Sequence, residues 1–515
     1  MNGAESLVRT LLDGGVEVCF TNPGTSEMHF VAALDAVPGM RCVLGLFEGV
    51  ATGAADGYYR MAGKPASTLL HLGPGLANGL ANLHNAKKAH SGVVNIVGEH
   101  ATHHIALDAP LTADIEGIAR PVSHWVHTST AAPDIGAAGA AAIAAARKPP
   151  GEIATLILPG DTAWNDDGRV AVTPEPDSPT PFEDSAVDAA VAALNSGRRT
   201  LLLLGGRALR EDNLHKAGRI AAATGCGLLT EWSNARLDRG AGRIEVNRIP
   251  YVVEKALAVL EEFETIVLIG ARPPVAFFAY PDKPGVLTRE GCEFVPLAGV
   301  GDDIDGALAA LCEATGAKGA VPQGISEPRV PDIPDGPINP PGIAAVLGAL
   351  LPEGAIVVDE SVTTGREFFP QTAGAPPHVW LNNRGGSIGY GLPVATGAAI
   401  ACPDRKVIAL EGDGSAMYTI QSLWTIAREN LDVTVLIFSN RSYQILHGEL
   451  TNVGVRNPGP RAMDMFSLSR PDLDWVAMAR GMGVDGCKVG DLKSLARQFE
   501  AGVAMDQPYL IEVEL

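Results

Sequence analysis

The chain has 515 residues, 46% hydrophobic and 19% charged. At roughly 150 residues per domain this leaves room for about three buried cores and excludes a small disulfide- or metal-stapled scaffold. The 39 basic side chains are outnumbered by 59 acidic ones, a net charge of −20, which has the wrong sign for nucleic-acid phosphates or an anionic membrane. The seven cysteines are scattered, with no Cys-x-x-Cys and no His-paired metal spacing, so they read as reduced thiols. The first residues carry no basic n-region or long apolar run, and no 18 apolar residues run together anywhere; the expectation is a cytoplasmic protein without a membrane partner.

Proline-rich stretches at 165–185 and 319–341 interrupt both helix and ladder hydrogen bonding. They divide the chain into blocks taken as 1–165, 186–320 and 338–515. In the first block, strands are expected at 42–47, 66–72 and 93–97, a small-residue helix from Glu48, and an alanine-rich helix at 135–146. The second block has apolar strand runs at 201–204 and 266–269, and the third at 406–410 and 433–438. Such alternation predicts an α/β protein of three doubly wound parallel-sheet domains, whose ligands bind beyond the carboxyl ends of strands.

The third block is the most informative. Strand 406–410 leads into Glu411-Gly412-Asp413-Gly414-Ser415, a helical stretch runs to Asn430, and strand 433–438 ends at Ser439-Asn440. Asp413 and Asn440 thus lie at one sheet edge as an oxygen-only pair suited to Mg²⁺, while Gly412, Gly414 and the following helix N-terminus suit a phosphate. Gly-Asp-Gly alone is equally a turn that caps a helix. Asn440 following Asp413 by 27 residues is what favours the functional reading.

This spacing resembles the signature of the thiamine-diphosphate-dependent 2-oxo acid decarboxylase and acetohydroxyacid (acetolactate) synthase superfamily, and the resemblance extends over nearly the whole chain. It implies thiamine diphosphate and Mg²⁺ as cofactors, with the metal on Asp413, Asn440 and the carbonyl of Ser442. Ser415, Tyr443 and Thr363 would contact the diphosphate region beside Gly412 and Gly414. Segment 384–393 resembles the one whose bulky residue, here Ile388, bends the cofactor, with the main chain of Gly386 and Ile388 holding its aminopyrimidine. Glu48-x-x-Ala51, continuing to Ala55-Asp56-Gly57-Tyr58, resembles the segment of the activating glutamate, which bonds a pyrimidine nitrogen. For an isolated Glu, complementing the helix dipole would be the simpler role.

The loop 20–27 is similar to one in benzoylformate decarboxylase. This implies Thr25 in the place of a substrate-binding serine, Pro23 and Gly24 against the cofactor, and His71 as a proton-transfer residue; from its apolar strand alone, His71 would be read as core. His103 and His104 resemble the double histidine of pyruvate decarboxylase and are equally explained as loop residues. Leu111 stands where acetohydroxyacid synthases carry a substrate glutamine, and Phe278 takes the place of a middle-domain histidine. Leu446, His447 and Glu449 would face the substrate. With no arginine at positions 25, 111 or 278, a monocarboxylic substrate with an apolar or aromatic side chain is favoured. Flavin-contacting segments are not recognisable in the middle block, so no FAD is expected.

The implied reaction is decarboxylation of a 2-oxo acid, with carboligation as an open second fate. The alternatives are acetolactate synthase-type condensation of pyruvate without FAD, and a catalytically silent cofactor-binding subunit. The rival enzyme class is a nicotinamide-dependent dehydrogenase, because Gly73, Gly75 and Gly79 follow a strand and Glu99 lies 20 residues beyond. The resemblance further implies a homodimer at minimum, and a homotetramer as the common form, with the cofactor between the first domain of one subunit and the third of another.

Overall fold

The β-branched and leucine runs form three sheets in the computed structural model, which describes residues 1–515. The first is six-stranded and wholly parallel, and runs across the sheet as Arg41–Leu44, Val18–Asn22, Ala66–Leu70, Val93–Glu99, Ile153–Pro159 and Trp125–Thr128. Numbered along the chain this is the order 2-1-3-4-6-5, whose direction of winding reverses between Val18–Asn22 and Ala66–Leu70. In open parallel sheets ligands bind beyond the carboxyl ends of the strands at such a reversal.

The last block repeats that order. His378–Asn382, Ile356–Glu360, Val407–Gly412, Val433–Ser439, Tyr509–Glu514 and Asp485–Val489 lie side by side, with the reversal between Ile356–Glu360 and Val407–Gly412. A seventh strand, Leu237–Arg239, comes from the middle block and pairs antiparallel with His378–Asn382. The buried Arg239 guanidinium secures it by donating to the Thr372 hydroxyl at 2.6 Å and the Phe369 carbonyl at 2.5 Å. The middle sheet is Asn247–Arg248, Gly227–Thr230, Thr200–Leu204, Thr265–Ile269 and Glu293–Ala298, all parallel, in the order 3-2-1-4-5.

Two helices join the first and third sheets. Glu48–Ala62 and Gly391–Ala401 are buried over almost their whole lengths. A β-carbon at Gly57 would lie 2.1 Å from the Val394 carbonyl oxygen, and one at Gly397 only 1.8 Å from that of Ala54. Only glycine allows this approach, and one hydrophobic core then runs from Phe20 and Leu70 to Val358 and Leu381. Burial of each such side chain contributes about 1.5–3 kcal/mol. No helix is long and apolar enough to cross a membrane.

Several local expectations are corrected. The strand expected at 42–47 spans Arg41–Leu44, because its neighbour's pairing ends at Thr21↔Leu44. The strand expected to reach Leu72 stops at Leu70, and His71 is the N-cap of helix Leu72–Ala89. The helical stretch expected up to Asn430 is two pieces, Asp413–Ala416 and Ser422–Arg428. Gly73, Gly75 and Gly79 lie inside the Leu72–Ala89 helix, not in a phosphate-binding turn. A β-carbon at Gly79 would lie 2.8 Å from the Thr52 methyl, and one at Gly75 3.2 Å from Glu48 Oε1. These glycines bring two helices together, which removes the basis for the dehydrogenase reading.

Candidate active site

At the first sheet's reversal point, Asn22 and Leu70 are paired in register, so the chain beyond each strand starts from the same place. His71 Nδ1 lies 2.9 Å from Glu27 Oε2. Glu27 is nearly buried and also accepts the Gly24 N–H at 2.8 Å and the Ser26 hydroxyl at 2.5 Å. A β-carbon on Gly24 would lie 2.2 Å from the His71 ring, so the imidazole fits only over glycine. Its side chain remains 22% exposed, against 1% for Glu27. The result is an accessible imidazole oriented by a shielded carboxylate, an arrangement chemically able to take up and deliver a proton.

Glu48, the first residue of its helix, is buried, and its Oε2 accepts the Asn78 amide at 2.9 Å. Asn82 and Asn85 on the same helix as Asn78 continue this link to the third block. They donate to the carbonyls of Gly389 at 3.2 Å and Ser387 at 2.8 Å.

At the third sheet's edge, Asp413 Oδ1 accepts the Gly414 N–H at 2.9 Å and Oδ2 the Arg441 N–H at 2.6 Å. Asn440 Oδ1 accepts the Ser442 N–H at 2.9 Å. The acid and amide oxygens therefore meet at one turn. Burial raises the Asp413 carboxyl to about 6, against the opposing pull of those N–H donors. A β-carbon at Gly414 would lie 2.5 Å from the Tyr443 ring, which packs onto the loop. Behind it, Glu360 and Glu411 pair in register across the reversal point, both fully sheathed in protein. Glu360 accepts the N–H groups of Gly389 at 3.0 Å and Gly391 at 2.9 Å. Burial raises Glu360 to about 7, and burial together with the neighbouring Glu360 raises Glu411 well above the usual range.

Comparison with known proteins decides what this arrangement belongs to. Residues 1–119 match the thiamine pyrophosphate enzyme N-terminal TPP-binding domain, and residues 364–513 its C-terminal TPP-binding domain. A Mycobacterium tuberculosis protein provisionally named acetolactate synthase large subunit IlvX is 52% identical over 515 residues, covering 100% of this chain and 99% of that one. The chain belongs to the thiamine pyrophosphate enzyme family. Within that family, benzoylformate decarboxylase of Pseudomonas aeruginosa is 30% identical over 529 residues, covering 97% of this chain and 96% of its own. The fold matches the thiamine diphosphate-dependent 4-hydroxybenzoylformate decarboxylase of Rhodococcus jostii RHA1 with a TM-score of 0.86 at 24% identity, over 100% of this chain and 99% of that one. It is a thiamine-dependent enzyme of the decarboxylase and acetolactate synthase family, with mixed α/β architecture in three domains.

The residues present would fit a diphosphate with a divalent cation. Asp413 and Asn440 offer oxygen donors alone, each with a lone pair left over after its hydrogen bond to the turn. The buried Asp413 carboxyl lacks a cationic side chain in hydrogen-bond contact, so a bound cation would complete it. The helix expected to present its N-terminus to phosphate is a single turn, Asp413–Ala416, which leaves the glycine loop itself as the candidate cradle. Ser415 spends its hydroxyl within the loop, donating to the Gly412 carbonyl at 3.1 Å. Thr363 is half-buried at the start of a short turn after Ile356–Glu360, with no side-chain hydrogen bond to that turn. Gly386 takes φ +81° and donates its N–H to Asn383 Oδ1 at 2.8 Å, which places Ile388, half-buried, two residues on.

The expected substrate residues are more dispersed. Thr25, Leu111 and Phe278 are exposed, and Ser26, not Thr25, reaches His71, at 3.2 Å. Leu446 is exposed on helix Gln444–Asn452, where His447 bonds the Ser442 hydroxyl at 3.2 Å. Glu449 points to the middle block and accepts the Tyr280 and Tyr251 hydroxyls at 2.7 and 3.3 Å. His103 and His104 lie on an exposed single turn away from this network. Sequence reasoning missed Glu27, Ser26, Asn78, Glu360 and Glu411. The matched loop 20–27 held a signal for the first two; the others become partners only through strand register and helix packing.

Proposed function

We propose that the protein decarboxylates a monocarboxylic 2-oxo acid with an apolar or aromatic side chain, using thiamine diphosphate and Mg²⁺. Residues 1–165, 186–320 and 338–515 serve as pyrimidine-binding, central and diphosphate-binding domains. Asp413, Asn440 and the Ser442 carbonyl hold the metal. Gly412, Gly414, Ser415, Tyr443 and Thr363 hold the diphosphate, and Gly386 and Ile388 the pyrimidine side, with Pro23 and Gly24 opposite. The bound cofactor supplies a nucleophilic ring carbon and an electron sink. Glu48, braced by Asn78, exchanges a proton with the pyrimidine ring nitrogen. His71, held by Glu27, delivers the proton that releases an aldehyde. Leu111, Phe278 and Leu446 offer apolar surface, and no arginine stands at positions 25, 111 or 278 to hold a second substrate carboxylate. The active unit is a homodimer at minimum, commonly paired into a tetramer, with each site drawing on two chains. FAD has no part in this scheme.

The observation that carries this reading is the 2.9 Å His71–Glu27 contact over Gly24, a proton donor that decarboxylation to an aldehyde requires. Incubation with a panel of 2-oxo acids, scoring CO₂ and carbonyl product together, tests it. Phenylglyoxylate-type acids should yield equal CO₂ and aldehyde, and His71→Ala should lower kcat about 100-fold or more while KM changes little. Preference for 2-oxoglutarate, or wild-type turnover in His71→Ala, would overturn it. Similarity to the IlvX protein favours one second reading, condensation of two pyruvates, which the same assay shows as CO₂ with a hydroxyketone.

A further inference from the structure

The middle sheet carries a cavity of about 190 Å³ beyond the carboxyl ends of its strands. Leu203, Ile249 and Leu287 form an apolar floor, and Trp232, Tyr251 and Phe277 a wall. These three rings meet edge-on or tilted, with centroids 5.1–6.1 Å apart, so the wall presents both ring edges and faces. Two arginines and one glutamate also line it. Arg384 is committed to Glu231 at 2.6 Å and to the Ser233 carbonyl at 2.9 Å. Arg272 has no carboxylate within ion-pair distance and stands exposed at the mouth. The lining therefore holds one uncompensated positive charge beside an aromatic chamber.

Size narrows the occupant. A cavity of about 150 Å³ accommodates one benzene ring, whereas larger ligands need several hundred Å³. At the sheet's own reversal point, Gly205 and Gly270 close on each other. A β-carbon on either would lie 2.3–2.5 Å from the other's carbonyl oxygen, so the two strand ends are in backbone contact there. A single ring fills this volume, and a dinucleotide would extend out of it. A cation of similar size would meet Arg272 unscreened, and a neutral ring would forgo its charge.

We propose that this cavity is a binding site for a single-ring arene carboxylate, with the ring against Trp232, Tyr251 and Phe277 and the carboxylate on Arg272. The cavity borders the cofactor- and substrate-side residues assigned above, its Tyr251 hydroxyl donating to Glu449 at 3.3 Å, but Glu48, His71 and Asp413 are not in its lining, and the proposal stands whether or not the proposed decarboxylation does. The Phe277 ring also abuts Gly386, where a β-carbon would lie 2.8 Å from it.

Isothermal titration of the full-length protein with benzoate, in the absence of thiamine diphosphate and Mg²⁺, tests this. Saturable one-to-one binding is expected, weakened about tenfold or more in Arg272→Gln and abolished in Arg272→Glu. His71→Ala and Asp413→Ala should bind benzoate as wild type does, and benzylamine, the same ring with opposite charge, should not bind. Matching thermal unfolding of the Arg272 variants establishes that they fold. Benzoate affinity unchanged in Arg272→Gln, no saturable binding in wild type, loss of binding in Asp413→Ala, or displacement of benzoate by equimolar FAD or ADP would each overturn the proposal.

Discussion

The first and third sheets have the same strand order and the same reversal point, yet they fill it with opposite chemistry. In the first, the loops after the two central strands bring His71 onto Glu27 with the imidazole still open to solvent. In the third, the corresponding strand ends bring two glutamates together in a place closed on every side. There Glu360 clamps the backbone that carries Ile388 through two N–H groups, and the candidate metal-binding oxygens lie just beyond, Asp413 directly after the Glu411 strand and Asn440 after the next one. Topology fixes where a crevice opens, and exposure at the strand ends decides whether a carboxylate orients an acid or braces a loop.

The largest effect should come from the third edge. Asp413→Ala should abolish thiamine diphosphate binding in calorimetry while circular dichroism stays native; tight metal-free binding to that variant would break the comparison. At the first edge the expected loss is of rate. Glu48→Gln keeps the Asn78 contact but not the exchangeable proton. Exchange of the cofactor's ring C–H with deuterium, followed by NMR, should slow by about 10²–10⁴-fold while cofactor affinity holds.

Stability sharpens the contrast further. Glu360→Ala strands the buried N–H groups of Gly389 and Gly391 and should cost about 3 kcal/mol in urea unfolding, whereas Glu27→Gln should affect turnover more than stability. The smallest effect is in pH. His378, buried in the third sheet with Nδ1 2.7 Å from the Pro376 carbonyl, is lowered by burial and by Arg239 to about 3. Its unfolded value is near 6.5, so the folded state refuses a proton that the unfolded state takes up. The stability involved is complete above 6.5 and is lost progressively as pH falls towards 3. At pH 5 the loss is about 2 kcal/mol, and His378→Asn should flatten this part of the curve of stability against pH.

Much of this was legible along the chain. Parallel-sheet strands are continuous apolar runs and glycine-rich turns follow them at fixed offsets, so the α/β class, the Asp413 loop and the helix starting at Glu48 could be located from local pattern. Element ends were less legible, because a strand stops where its neighbour's pairing stops, as at Leu44 and Leu70. The glycines at 73, 75 and 79 imitated a nucleotide loop, because a glycine required by helix packing and one required by phosphate look alike in sequence. Tertiary structure alone decided that Glu27 would hold His71, that Glu360 would meet Glu411, that Leu237–Arg239 would leave its block for another sheet, and that Arg272 would stand unpaired beside three aromatic rings. Each depends on residues tens to hundreds of positions apart becoming neighbours through register and helix crossing, for which no local pattern codes.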